Sequence, residues 1–345
     1  PNYKSKFDSI LKEWGFDPQH FEIEGKVKAS SWNTQLKGGI VETFYAFKGV
    51  VRRRHPERDE WYDHLLKEVS KKKPLKKKKI KSDVAYIFTL SDWQLGKVDL
   101  GVEKTLERYD KALDRAVQEV RQLGSVDEIY LLSMGDLTEG CYGFYDSQAH
   151  NISLNLSQQY HLARKLIMKT VDTFLPYANK IVLSGVPANH GEMARSGKGQ
   201  VVTSRLDNSD TMHLEICQEI MEQNKRYDKV TVSIPKGFHH TVEVKGHTVG
   251  FTHGHMHSGG TGPEGKIMKW WQGQMFGDFP VGDAEILVTG HFHHPRMMQQ
   301  GNRTWFQCPS IDASLDFTAR TGMWSKPGVL TFTIDKDGWD NYKIV

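Results

Sequence analysis

Two aspartates, an asparagine, a glutamine and several histidines recur in this chain at one kind of place, the end of a short apolar run. Asp92 and Gln94 follow VAYIFTL, Asp136 follows EIYLLSMG, and the Asn189-His190 pair follows KIVLSGVP. His253 lies at the end of VGFTHG, and His291 and His293 follow ILVTG. In open α/β sheets, ligands gather in the crevice outside the carboxyl ends of the strands, so residues in such positions can converge. Asp92, Gln94, Asp136, Asn189, His253, His291 and His293 make seven oxygen and nitrogen donors. One metal takes about four to six ligands. Seven suits two metals sharing a carboxylate about 3.5–4 Å apart, a pair able to hold hydroxide on one side and a phosphoryl oxygen on the other.

The elements that must position these residues alternate along the chain from Val84 onward. VAYIFTL, EIYLLSMGD and KIVLSGV read as buried strands. Between them, Leu106, Tyr109, Leu113, Ala116, Val120 and Leu123 mark one face of a helix, and Tyr160, Ala163, Ile167, Val171 and Phe174 mark the next. After a helix near 211–227 the pattern turns to strands: KVTVSI, TVEVKGHTVGFTHG with a Lys245-Gly246 turn, AEILVTG, RTWFQC and GVLTFTID. The expected architecture is a layered αββα sandwich of two mixed sheets, the second largely antiparallel.

Ahead of it, residues 1–70 read as a small basic α+β module. DSILKEWGFDP is a helix with Asp8 as its N-cap, VKASSW and IVETFYAFKGVV flank an LKGG hairpin turn, and Pro56 opens a helix whose face carries Trp61, Leu65 and Val69. Residues 71–82 form a linker, in which eight of the eleven residues from Lys71 to Lys81 are lysine. Like charges at that density repel and stay solvated. The run is either a soluble tether or a contact for nucleic-acid phosphates. Residues 83–345 form the catalytic domain. Residues 1–82 hold 20 Lys+Arg against 11 Asp+Glu, whereas the remainder holds 26 against 31. A basic arm beside a carboxylate-rich body implies a polyanionic partner.

The ordered series Asp92-x-Gln94, Gly135-Asp136, Asn189-His190, His253 and Gly290-His291-x-His293 resembles the calcineurin-like metallophosphoesterases, from roughly Val84 to the C-terminus. The resemblance implies that Asp136 bridges two divalent ions. Asp92, Gln94 and His293 complete one site, and Asn189, His253 and His291 the other. It also places His190 beside the metals, to give a hydrogen bond or proton to the substrate. Glu139, three residues past Asp136, is a candidate to orient His190. Two positions depart from the family pattern: Ala188 stands where glycine is usual before the Asn-His pair, and Gln94 where histidine is usual. A neutral amide oxygen should favour Mn2+ over Zn2+, with Mg2+ a further alternative. The SDxQ form is similar to that of phage-borne and prophage-borne members, and the layout resembles, more loosely, the nuclease subunits of double-strand-break repair complexes.

Other residues have two readings. His255 and His257 alternate with His253 in HGHMH, as a substitute ligand or as hydrogen-bonded neighbours. Arg195, Lys198 and Arg205, after the Asn-His turn, either clamp substrate phosphates or are simply solvated. Trp270 and Trp271 are either core or a stacking platform for a base. His239, His240 and His247 read as surface or strand residues, and Trp305 and Trp324 as structural.

The implied function is a dinuclear-metal phosphodiester hydrolase, a DNA nuclease of exo or endo type using metal-activated hydroxide. A phosphomonoesterase or cyclic-nucleotide phosphodiesterase is the alternative, and a DNA-binding adaptor with a relict site is a third. Cys141, Cys217 and Cys308 lie far apart, which fits a reducing cytoplasm and excludes a cysteine-rich zinc site. With no leader and no apolar run of membrane-spanning length, the chain is expected in the cytoplasm with no membrane partner.

Overall fold

A computed structural model describes residues 3–16, 18, 21–35, 41–53, 58–75, 79–98, 101–145, 148–195, 200–257, 260–313, 318, 322 and 324–345. Contacts divide the chain into two compact units, Pro1–Asp63 and His64–Val345.

In the first unit, helix α1 (Tyr3–Glu13) precedes two long antiparallel strands, β1 (Phe21–Gln35) and β2 (Val41–Arg53). The helix begins before Asp8, so Asp8 lies inside it rather than capping it. Leu11 is its buried contact residue. The LKGG turn and Pro56 lie outside the described residues. Helix α2 (Arg58–Ser70) follows, and the boundary between units falls inside it. By itself the stretch 1–63 carries 11 Lys+Arg against 10 Asp+Glu, so the basic excess lies after it, in 64–82.

The large unit begins with Leu65 and Val69 of α2, both in its core. Beyond them the lysine run is partly tied to the unit's own surface. Lys72 pairs with Asp172 at 2.5 Å, Asn224 donates to the Val69 and Lys72 carbonyls, and Asn179 accepts from the Ile80 N–H. Lys76, Lys77 and Lys78 lie outside the described residues.

Next come β3 (Ala85–Ser91), α3 (Val102–Gln122), β4 (Val126–Gly135), α4 (Leu156–Phe174), β5 (Ala178–Gly185), α5 (Ser209–Glu222) and β6 (Val230–Ser233). Then follow β7 (His239–Val244), β8 (His247–Thr252), α6 (Gly262–Phe276), β9 (Ile286–Thr289), β10 (Arg296–Gln300), β11 (Arg303–Gln307), β12 (Leu330–Asp335) and β13 (Gly338–Ile344). One sheet has the order β13-β12-β3-β4-β5-β6 and the other β10-β11-β9-β8-β7. The second sheet is mixed rather than largely antiparallel: β9 pairs in parallel with both β8 and β11. Parallel pairing requires a crossover, and α6 supplies it between β8 and β9.

Side-chain alternation builds the layers. On β3, Tyr86, Phe88 and Leu90 pack under α3 and α4, whereas Ala85 and Ile87 face the second sheet. On β4, Ile129 and Leu131 take the helix side, and Tyr130, Leu132 and Met134 the inter-sheet side. A third cluster, Ile267, Trp271, Val281, Leu287 and Trp305, closes the outer face under α6. The result is an αββα sandwich. The α4 stripe is buried as its spacing predicts, and α3 departs from its spacing at Leu123, which is the C-cap and 40% exposed. No described helix is long and apolar enough to cross a membrane.

Candidate metal centre

Three strands of the sandwich end in an unusual backbone. Among the described residues, nine non-glycine residues have positive φ, and five of them are Asp92 (51°), Gln94 (43°), Asp136 (52°), His291 (70°) and His293 (60°). The left-handed region costs an L-residue roughly 1 kcal/mol or more and persists only where the surroundings impose it. Here the turns after β3 and β4 impose it on each other. Asp92 N–H donates to Gly135 O at 3.0 Å, Gln94 N–H to Asp136 O at 3.0 Å, and Leu95 N–H to Leu137 O at 3.1 Å. Asp210, at the start of α5, accepts from the N–H groups of Asp136 (3.1 Å) and Leu137 (3.0 Å). Gly135 precedes Asp136 at φ 84°, and a Cβ there would lie 2.4 Å from the Ala188 Cβ. Ala188 therefore fills the space beside a glycine that has none to spare.

These turns bring the expected donors together. Asp136, His253 and His291 offer donor atoms that all lie within 4.8 Å of one another. His253 commits Nδ1 to the Met134 carbonyl at 2.7 Å. Its Nε2 then faces Asp136 Oδ2 at 3.1 Å and Asn189 Oδ1 at 3.0 Å. A neutral imidazole with its proton on Nδ1 presents only a lone pair there, aimed at two other acceptors. That arrangement requires a cation, either a proton on Nε2 or a metal ion among the three atoms. With a proton, His253 is raised to about 9, burial opposing the shift and the Asp136 carboxylate prevailing. Burial would raise Asp136, but the His253 and His190 charges hold it far below the usual carboxylate range. Burial first, and then the His253 charge, press His291 down to about 4. The donor set of carboxylate, amide oxygen and imidazoles fits a divalent ion.

On the other side, His293 Nε2 lies 3.2 Å from Asp92 Oδ1, and the His291 N–H points at both Asp92 oxygens at 3.2 Å. Asp92 is fully buried and also accepts from the Ser91 hydroxyl. Gln94 is in the pocket with a specific orientation: its Nε2 lies 3.5 Å from His293 Nε2, while its oxygen accepts from Lys97.

His190 stands at the edge of the group, its N–H donating to Asp136 Oδ1 at 2.8 Å. Its Nδ1 lies 2.7 Å from the Glu139 carbonyl oxygen and 3.7 Å from the Glu139 carboxylate. The backbone of Glu139 therefore fixes the ring more closely than its side chain, and Nε2 is left to exchange a proton. The carboxylate instead takes the Tyr145 hydroxyl at 2.6 Å, and burial raises the Glu139 pKa. Phe144 stacks on His190 at 4.4 Å and 10°, with the Arg195 guanidinium 3.9 Å from the same ring.

Arg195 and Arg205 both bind the buried Glu192 carboxylate, so their charge is partly spent within the protein. Lys198 lies outside the described residues. Trp271 is core, with its indole N–H on Val281 O at 2.9 Å. Trp270 stacks on His257 at 4.0 Å, and neither ring nitrogen of His255 or His257 has a partner among the described residues. Trp305 is buried as expected, but Trp324 is 60% exposed.

Sequence reasoning missed Asp210 and Lys97. Lys97 had a signal, since it follows Gln94 by three residues, the reach of one tight turn. Asp210 had none, because it meets Asp136 across 74 positions.

No protein-family model matches the chain, and no curated protein matches it. Solved structures that align with it include an archaeal phosphodiesterase at 11% identity and TM-score 0.34, over 75% of this chain and 99% of that one. A hypothetical protein from Pyrococcus horikoshii aligns at 10% and TM-score 0.38, over 76% and 88%. Zinc-complexed Vps29 from Entamoeba histolytica aligns at 12% and TM-score 0.30, over 72% and 84%. These likenesses are low in both identity and TM-score.

Proposed function

We propose that the protein is a divalent-metal-dependent phosphodiester hydrolase of the calcineurin-like metallophosphoesterase kind, and that its substrate is DNA. The observation that carries the hydrolase reading is His253 Nε2 facing two acceptor oxygens beside fully buried Asp136, with His190 adjacent. Asp136, Asn189, His253 and His291 would hold one ion. Asp92 and His293, sharing Asp136 and with Gln94 beside them, would hold a second; the oxygen donors suit Mn2+ or Mg2+, and the imidazoles also suit Zn2+. When bound, such ions supply positive charge to phosphoryl oxygens and make water nucleophilic near neutral pH.

The chain's own residues supply the rest. The two coupled turns hold the carboxylates in place without reorganisation, which is where electrostatic catalysis gains most. His190 keeps its Nδ1–H on the Glu139 carbonyl, so a proton for the leaving oxygen would come from Nε2 of the imidazolium form, which then becomes neutral imidazole. Arg195 sits against the Phe144 ring that backs His190 and is paired with Glu192, and it would lend the remainder of its charge to a phosphate.

Two features support nucleic acid as the substrate. The lysine-rich segment supplies charge for phosphates. On the hairpin, Trp32 and Phe44 stack at 6.1 Å and are 51% and 40% exposed. Lys28 pairs with Lys48 four residues along, so the alternation puts both lysines on the same face as those rings. Aromatic rings with flanking cations are how sequence-tolerant single-strand binders hold bases and backbone.

A substrate panel with Mn2+ tests this reading: single- and double-stranded DNA, RNA, a chromogenic diester, a monoester and cyclic nucleotides. Cleavage of DNA and of the chromogenic diester is expected. Turnover of the monoester or cyclic nucleotides alone would shift the function to a small phosphate. DNA binding without any hydrolysis would leave an adaptor.

A further inference from the structure

Gln94 has a neighbour that decides which end of its amide meets the centre. Lys97 Nζ lies 3.1 Å from Gln94 Oε1 and 2.8 Å from Asp312 Oδ2. A lysine ammonium only donates, so it accepts the oxygen end of the amide and rejects the NH2 end. The NH2 group is thereby turned towards His293 Nε2, 3.5 Å away. An amide nitrogen has no lone pair available for a cation, and the atom that could ligate points at Lys97 rather than at His293.

The arrangement is braced from both sides. The Lys97 and Asp312 side chains are only 18% and 4% exposed. Asp312 donates its N–H to Ser310 Oγ at 2.9 Å, and that hydroxyl donates to Asp92 O at 2.7 Å. The intervening Gly96 sits at φ 107° with the Gln159 side chain 2.5 Å from where a Cβ would be, so the turn has no room to shift. Releasing the Gln94 oxygen would cost Lys97 an acceptor and set NH2 against ammonium. Among the described residues no lysine or arginine hydrogen-bonds to the donor atoms of the other half, where only an exchangeable proton on His253 Nε2 competes. Asp136, His253 and His291 already offer mutually close donors, with Asn189 Oδ1 3.0 Å from His253 Nε2.

We propose that Lys97 is a positioning residue that grades the two cation sites. By holding the Gln94 oxygen it withholds a ligand from the Asp92–His293 half, so that the Asp136–His253–His291 half fills first and the other only at higher metal concentration. This rests on the metal-dependent reading above and adds an order of filling to it.

Calorimetric titration of Mn2+ into the metal-stripped full chain tests it. The wild type should take up one ion tightly and a second at least tenfold more weakly. Lys97→Met should tighten the second step tenfold or more, and Lys97→Arg should not. Each Lys97→Met protein is made alone and with Asp312→Asn, which removes the stranded carboxylate and keeps the comparison valid if the single variant folds poorly. Gln94→Leu separates the pinned amide from simple charge removal. In the wild-type background it should leave the weak step unchanged, and in the Lys97→Met background it should abolish the gain. Two equally tight ions in the wild type, no effect of Lys97→Met, or equal weakening by Gln94→Leu in both backgrounds would overturn the proposal while leaving the metal reading standing. No ion bound by any variant would overturn both.

Discussion

Asp136 is fully buried, accepts a hydrogen bond from the His190 N–H, faces His253 Nε2 and shares its surroundings with Asp92. Two carboxylates this close and this dry need positive charge beside them, because desolvated like charges otherwise raise each other's pKa. The same crowding makes Gly290 a sensitive point. A Cβ there would come 2.8 Å from Asp92 Oδ2 and 2.7 Å from Ser91 Oγ. Gly290→Ala should therefore displace the Asp92 carboxylate and weaken Mn2+ binding tenfold or more in calorimetry, with an unchanged circular dichroism spectrum. His190 touches no other candidate ligand through its ring nitrogens. His190→Ala should keep the calorimetric metal affinity and lower kcat on a chromogenic diester by about 10²–10⁴, the usual worth of a positioned acid or base. An unchanged rate would remove His190 from the chemistry. The candidate donors could be picked out from the sequence, since they follow apolar runs. Which atom each presents could not. The Gln94 amide is turned by Lys97, and the His190 ring by a carbonyl rather than by the carboxylate that the sequence pointed to.

The elements that hold the centre owe their stiffness to pairing that continues past the strand ends. Asp210 closes the turn after β4 from the first residues of α5, itself capped by the Asn208 side chain on the Asp210 N–H. Further along α5, His213 is wholly buried, its ring edge-on to Tyr160 of α4 at 5.0 Å and 73°, with neither nitrogen partnered among the described residues. Burial first, and then the Arg164 charge, lower its pKa from 6.5 to about 3. Between those values the unfolded chain binds a proton that the folded one does not. Stability is therefore intact above pH 6.5 and falls as the pH drops towards 3, by at most about 1.4 kcal/mol per unit. In urea titrations the unfolding free energy of wild type minus that of His213→Leu should be constant above pH 6.5 and shrink below it. A flat difference throughout would show that His213 is not buried as neutral imidazole. Long periodic elements such as α4 were readable from their stripes. β10 and β13 were not expected, because RMMQQ and GWDNYKI are largely exposed and lack a clean apolar alternation.

For the molecule as a whole, the sequence read residues 1–70 as one basic module, yet contacts separate the chain at residue 63 and leave most of the basic excess beyond that point. Charge runs are visible in a sequence, but the packing of Leu65 and Val69 into the following core depends on partners far along the chain. If the hairpin's exposed rings serve single-stranded DNA, Trp32→Ala with Phe44→Ala should weaken its binding by about 1–3 kcal/mol per stacked base. Hydrolysis of a small chromogenic diester should be untouched. Equal binding by both proteins in fluorescence titrations at fixed salt would free the hairpin from that role. On this account the sandwich gathers Asp92, Asp136, Asn189, His253, His291 and His293 at its strand ends, where they would hold divalent ions. The most direct test is chromogenic phosphodiester turnover as a function of added Mn2+, for the metal-stripped wild type beside Asp136→Ala. The wild type should be silent without the ion and active with it, and the variant silent throughout. Hydrolysis that ignores the ion, or that survives the loss of Asp136, would contradict the account.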